Sequence, residues 1–188
     1  MNFREVPAFL QDYKEDINPN NTLFVARTNA TIIGMCTYLI NHRIPSQILK
    51  KDIADILTGE IKKYGTRNLT ELRRKLENHR RMISNWNSPL SKELAVDKIL
   101  CIEKLIHQVN DYGGLINQIQ TLFERFKSGY KMTTCHGAKG LEAENIFIIN
   151  PPIPIELAKP HPILWEQEIK LKYVSVTRSS RNIFYVVK

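Results

Sequence analysis

The chain is short of the residues that mark special classes of protein. It has three cysteines in 188 residues, Cys36, Cys101 and Cys135, odd in number and far apart. That argues against a disulfide framework, and the five scattered histidines supply no clustered Cys/His set for zinc. Each cysteine sits in an apolar or strand-like context, where a free thiol behaves as a small hydrophobe. Long apolar runs are missing as well: nothing approaches the roughly 18 residues a membrane span needs. The opening MNFREVPAFLQDYKED carries acids and no apolar core, so no signal peptide is expected there and the cytoplasm is the expected location. Internal repeats and low-complexity tracts are absent. Acids are also scarce, 19 against 27 lysines and arginines. The net charge of +8 suits an anionic partner, for which nucleic acid is the commonest candidate.

What is present alternates short apolar runs with helical patterns. After a helix over Val6 to Tyr13 and the turn Asn18-Pro19-Asn20-Asn21, TLFVA (22–26) reads as a buried strand. Arg27-Thr28-Asn29 then precedes a helix from Ala30 to about Asn41, with Thr28 or Asn29 as its N-cap. SQIL (46–49) reads as a second short strand after Pro45. YKMTT (130–134) and NIFII (145–149) follow much later, then the Pro-rich PPIPIELAKPHP, a helix from Leu164 to about Thr177, and a last strand, NIFYVV (182–187). Alternation of this kind predicts an α/β fold with a parallel sheet covered by helices on both faces.

Between Lys50 and Lys127 the pattern is purely helical. Leu69, Leu72, Leu76, Ile83 and Trp86 form one stripe. Ile99, Ile102, Ile106 and Val109 mark a second helix from about Lys92 to Asn110, and Gly113-Gly114 is expected to break it. Leu115, Ile119, Leu122, Phe123 and Phe126 mark a third. The expected division is therefore an α/β domain over 1–50 and 128–188, interrupted by a helical insertion over 51–127. The first helix is expected to carry a basic face of Lys62, Lys63, Arg67, Arg73, Arg74, Lys75, Arg80 and Arg81, as a solvated surface or a nucleic-acid contact.

Three polar clusters are expected at the ends of strands: Arg27-Thr28-Asn29, Thr134 to Glu142, and Thr177-Arg178. The carboxyl ends of strands are where open α/β sheets bind ligands. Lys139 and Arg178 are cations suited to phosphate, and a guanidinium grips two oxygens at once. Glu142 can accept from a sugar hydroxyl. Taken singly, each has a plainer role: a surface lysine, a helix-terminus acid, a charge at a helix C-terminus. The Gly-x-Lys-Gly cluster in HGAKGLE lacks the spacing of a phosphate loop, and no Gly-x-x-x-x-Gly-Lys-Ser/Thr occurs in the sequence.

In order, the clusters resemble something more specific. VARTNATIIGMCTYLINHRIP is similar to the segment that opens the second RecA-like domain of UvrD/Rep/PcrA-type superfamily 1A DNA helicases. TTCHGAKGLEAENIFIIN resembles that family's motif V, and LWEQEIKLKYVSVTRSSRNIFYV resembles its motif VI. The resemblance implies a RecA-like second motor domain with a reduced 2B-like helical insert, acting in ATP-dependent 3′-to-5′ translocation on DNA. It implies an arginine-finger role for Arg178, toward the γ-phosphate of ATP held with Mg²⁺ mainly by a separate N-terminal motor domain. Glu142 would contact the ribose, with Lys139, Gly140 and His136 lining the same nucleotide cleft. Arg27, Thr28, Asn29 and Thr134 would lie on a single-stranded DNA track. Glu168 fits the acidic position upstream of motif VI. Departures are Gly137 for a usual Ala or Ser, Ile169-Lys170 after the glutamate, and Ser179-Ser180 after the arginine. The expected partners are single-stranded DNA and the N-terminal motor domain, and the isolated chain is not expected to hydrolyse ATP. The competing expectation is a non-catalytic nucleic-acid- or protein-binding module derived from a helicase half.

Overall fold

Thr22–Ala26 is buried along its whole length, which only a strand flanked on both sides and covered on both faces can be. In the computed structural model, which describes residues 1–49, 52–123, 129–150 and 162–187, this strand (β1) is the centre of a five-stranded sheet. The strands are β1, β2 (Ser46–Ile48), β3 (Tyr130–Thr134), β4 (Ala143–Ile149) and β5 (Ser179–Val186), in the order β2-β3-β1-β4-β5. Every pairing is parallel. The α/β class with a parallel sheet, expected from the alternating pattern, is what the structure has, and it is consistent with a RecA-like arrangement.

The two faces of the sheet are chemically different, because side chains alternate along each strand. One face carries an aromatic row. Phe24 stacks on Phe147 (4.5 Å between centroids), and Phe147 on Phe184 (4.7 Å). Tyr130 meets Phe24 edge-on at 5.8 Å. Helix α1 (Val6–Asp12) lays Phe9 across this row, 5.3 Å from Phe184 and 6.1 Å from Phe147. The other face is aliphatic: Leu23, Val25, Ile146 and Ile148 pack with Leu171 of helix α7 (Pro162–Val176). Helix α2 (Asn29–Asn41) runs from β1 towards β2, with the Tyr38 ring tilted against Phe3 at 5.3 Å. Helices therefore cover both faces.

The chain divides into two compact units, Met1–Leu49 with Arg125–Lys188, and Lys50–Glu124. The second unit is helical, with α3 (Asp52–Lys63), α4 (Leu69–Ile83), α5 (Pro89–Ile106) and α6 (Tyr112–Phe123). Its core is aliphatic, led by Leu57, Ile61, Leu72, Leu76, Ile102 and Ile119. Asn68 caps α4 by accepting from the Glu71 amide at 3.0 Å, and Ser88 precedes Pro89 at the start of α5.

Five details of the helical unit differ from the sequence expectation. Helix α3 was not foreseen, although Ile53, Leu57 and Ile61 recur every four residues along it. The eight basic residues consequently fall on two helices and their connection rather than on one. Gly113 and Gly114 lie in the first turn of α6 instead of breaking a helix, because the Asp111 carboxylate accepts from the Gly114 amide at 2.8 Å and caps that turn. Trp86 falls beyond the end of α4 and is exposed, with its ring near His79, so it is not part of the buried stripe. Helix α5 runs from Pro89 to Ile106 and not from Lys92 to Asn110, since proline suits a first helical turn. The Pro-rich stretch 151–161 lies outside the described residues.

All three cysteines are buried and free, and burial pushes the Cys36 thiol up to about 12. Among the described residues no helix is long and apolar enough to cross a membrane.

Candidate functional site

Strand register sorts the candidate residues into two groups at opposite edges of the sheet. Ala26 pairs with Thr134, so Arg27-Thr28-Asn29 and the start of the 135–142 connection leave the sheet side by side at its carboxyl edge. Ala143 pairs with Ser179, so Glu142 and Arg178 immediately precede paired residues at the amino edge of β4 and β5. The segment HGAKGLE is thus a connection that starts at one edge and ends at the other. With about 3.3 Å of rise per residue, the five residues of β1 put roughly 13 Å between the edges. The expectation that all three clusters gather at carboxyl ends is therefore corrected for Arg178 and Glu142. The helix leading into β5 delivers Arg178 to the strand's start.

At the carboxyl edge much of the polar chemistry is structural. Thr28 is the N-cap of α2, its hydroxyl accepting from the Thr31 amide at 3.3 Å and bonded to the Thr31 hydroxyl at 2.9 Å. Asn29 is the first residue of that helix, so the positive end of the α2 dipole lies at this edge. The Thr134 hydroxyl accepts from the Gly137 amide at 3.3 Å, and the Thr134 carbonyl accepts from the Ala138 amide at 2.9 Å. These bonds curl the chain into a tight turn and present His136 to solvent. Gly137 has a steric reason to be glycine: a Cβ there would lie 2.3 Å from the buried Thr133 hydroxyl oxygen.

Arg27 is tied to helix α7. Its Nε donates to Glu168 Oε1 at 2.7 Å and one terminal nitrogen lies 2.6 Å from the same oxygen. Both side chains are largely shielded, 25% and 14% exposed. The pair joins the loop after β1 to the helix that covers the aliphatic face. Its position in the sequence offered one clue, the acidic residue before motif VI, but no spacing rule predicts that partner. Because charge-assisted bonds at shielded positions contribute more than exposed ones, Glu168→Ala should cost about 1–2 kcal/mol. In a Trp86→Phe background, urea denaturation followed by Trp165 fluorescence reads this directly, and an unchanged midpoint would mean the pair is idle.

The amino edge is more open. Gly140, with φ +82°, is the third residue of a turn closed by the Leu141 amide on the Ala138 carbonyl at 3.0 Å. Type II geometry reserves that place for glycine. The turn holds Lys139 exposed on the connection, one residue past Ala138, whose amide is still bonded to Thr134, and Glu142 is exposed next to β4; neither side chain has a hydrogen bond or ion pair among the described residues. Arg178 sits at the C-terminal end of α7, half-buried, with Nε donating to the Val174 carbonyl at 3.1 Å and a terminal nitrogen to the Thr177 hydroxyl at 3.1 Å. Its own carbonyl accepts from the Ala143 amide at 3.0 Å, which fixes the arginine's backbone to β4 next to Glu142. The guanidinium is therefore steadied while part of its donor set remains for another group.

Sequence reasoning missed the polar brace beneath this edge. Asn145 is wholly buried, its side-chain amide donating to the Asp16 carbonyl at 3.1 Å and its side-chain oxygen accepting from Asn182 at 2.9 Å. An asparagine opening an apolar run was the only available signal.

His136 departs from its expected companions: it lies with Thr134 at the carboxyl edge, away from Glu142 and Arg178, and Lys139 and Gly140 lie on the connection between the two edges. A cationic and hydrogen-bonding set at each edge can engage two anionic ligands separately. No protein-family model matches the sequence, and no curated protein sequence matches it.

Proposed function

We propose that the α/β unit is the second motor domain of an ATP-driven superfamily 1A DNA helicase, working in the cytoplasm on single-stranded DNA. The observation that carries this reading is the pairing of Ala143 with Ser179, which puts Glu142 and Arg178 next to one another at the edge opposite Arg27–Asn29 and Thr134. A motor must grip a nucleotide and a strand at once, and two separate polar edges on one rigid sheet suit that task.

Glu142 and Arg178 at the amino edge, with Lys139 on the connection leading to it, fit one half of a nucleotide site. Lys139 and Glu142 are exposed and unengaged among the described residues, and Arg178 is braced without being neutralised by a carboxylate there. Arg178 would neutralise charge on the terminal phosphate and Glu142 would accept from a ribose hydroxyl. ATP with Mg²⁺ supplies the phosphoryl chemistry when bound, and most of its contacts would come from an N-terminal motor domain, fused or separate. No Gly-x-x-x-x-Gly-Lys-Ser/Thr in this sequence could hold it alone. At the carboxyl edge, the α2 N-terminus, Asn29 and Thr134 would hold strand phosphates, with Arg27 contributing charge from its pair with Glu168.

The test is binding of a fluorescent oligothymidine to the full chain across a salt series. Arg27→Gln should weaken binding and lower the slope of log K against log salt by about 0.7, the value of one phosphate contact on a single strand. Arg178→Ala should leave that slope unchanged. If Arg27→Gln binds as the parent does while Arg73→Glu/Arg74→Glu abolishes binding, the strand contact belongs to the helical unit and the proposed track is wrong.

A further inference from the structure

The helical unit contains a cavity of about 560 Å³ that the motor reading does not use. That volume is in the range of sites that hold small ligands. One wall is α3, which offers Thr58 and, one turn later, Lys62; the opposite wall is α6, with Tyr112 and Ile116 likewise one turn apart. The connection between α3 and α4 closes the end with Thr66 and Arg67.

Five basic side chains of the unit are answered locally by carboxylates, Lys63 and Lys98 by Glu60, Lys75 by Glu71, Arg80 by Glu103 and Arg81 by Glu77, while Arg73 and Lys92 donate to backbone carbonyls. The side chains of Lys62 and Arg67 have no hydrogen bond or ion pair among the described residues, and both line the cavity. Among the described residues no carboxylate lines it. Glu71, which accepts from the Thr66 hydroxyl at 2.7 Å, is itself matched by Lys75 at 3.1 Å. The cavity is therefore a pocket of unopposed positive charge, with two threonine hydroxyls beside it and a half-buried tyrosine ring and an isoleucine on one wall.

We propose that this pocket binds a nucleotide 5′-phosphate, its phosphoryl group held by Lys62 and Arg67 and its base laid against Tyr112 and Ile116. Arginine can take two phosphate oxygens at once while lysine acts as a mobile point charge, and aromatic rings accept any base by stacking. The 5′-phosphate can come from a free nucleotide or from the phosphorylated end of a strand.

The experiment titrates thymidine 5′-monophosphate into the full chain and follows amide shifts. Saturable shifts at Lys62, Arg67 and Tyr112 are expected, with Kd about 1 mM or tighter. Lys62→Ala/Arg67→Ala should weaken binding at least tenfold, and Tyr112→Leu should weaken the nucleotide without altering the response to inorganic phosphate. The shifts are read at residues of the helical unit, none of which the motor reading uses, so this result is independent of that reading. A 5′-phosphorylated oligothymidine that displaces the nucleotide where its 5′-hydroxyl counterpart does not identifies a strand end as the source. Displacement by neither identifies the free nucleotide. Absence of saturable shifts at about 10 mM nucleotide, or equal binding by the double variant with its circular dichroism unchanged, overturns the proposal.

Discussion

In a complete motor containing this domain, Arg178→Ala should lower ATP turnover by roughly 10³-fold or more at saturating DNA, with little change in KM. The physical reason is that a finger acts on charge that develops during transfer, so its loss falls on kcat. Arg178→Lys should recover little, because the lysine head keeps the charge but not the planar fork that meets two oxygens. The loss should not come from unfolding: the Arg178 side chain bonds only within the last turn of its own helix among the described residues, and the strand contact to Ala143 is made by its backbone. Steady-state hydrolysis and a melting curve on the same variant separate the two causes. Turnover within about threefold of the parent would remove Arg178 from the chemistry.

The second large effect is on stability. Phe147→Ala should cost about 3–5 kcal/mol, against a total for a domain of about 5–15 kcal/mol. Phe147 is fully buried at the centre of the aromatic row, stacked between Phe24 and Phe184 and met edge-on by Phe9. Rings on two neighbouring strands and a helix cannot close over the gap together, so most of the cavity persists. Phe147→Leu keeps much of the volume and should cost about 1.5 kcal/mol or less. The two tryptophans fall in different units, Trp86 in the helical one and Trp165 in α7. In a Trp86→Phe background, Trp165 fluorescence follows the α/β unit alone, and the urea midpoint should drop by about 1 M or more. A shift under about 1 kcal/mol would mean that the row is not the keystone of the sheet.

The fold was legible where pattern and environment agree. TLFVA and NIFII are unbroken apolar runs, and central strands of a covered parallel sheet are what such runs become. Thr28 announced its helix because a short hydroxyl before an apolar stretch has one evident use. Helix α3 escaped because Thr58 and Gly59 interrupt a stripe that shows only one apolar residue per turn. The breaking of a helix at Gly113-Gly114 was a fair expectation from backbone entropy, and the Asp111 cap reversed it. Site residues were legible as residue types, since Arg178, Glu142 and Lys139 stand beside strands. Their edge was not legible. Periodicity gives no strand order, and only the parallel pairing of β4 with β5 puts Glu142 next to Arg178. The Arg27–Glu168 pair, 141 positions apart, lies equally beyond local pattern.

Two ligands on two edges of one sheet is the central claim, and amide-shift mapping on the full chain tests it most directly. The Lys62→Ala/Arg67→Ala chain is the one to use, so that the helical pocket does not contribute. A 5′-hydroxyl oligothymidine should shift amides from Arg27 to Thr31 and from Thr134 to His136. Magnesium and a slowly hydrolysed ATP analogue should shift Lys139 to Glu142 and Thr177 to Ser179, with weak affinity and without competing with the strand. Shifts from both ligands at the same edge, or mutual displacement, would contradict the account.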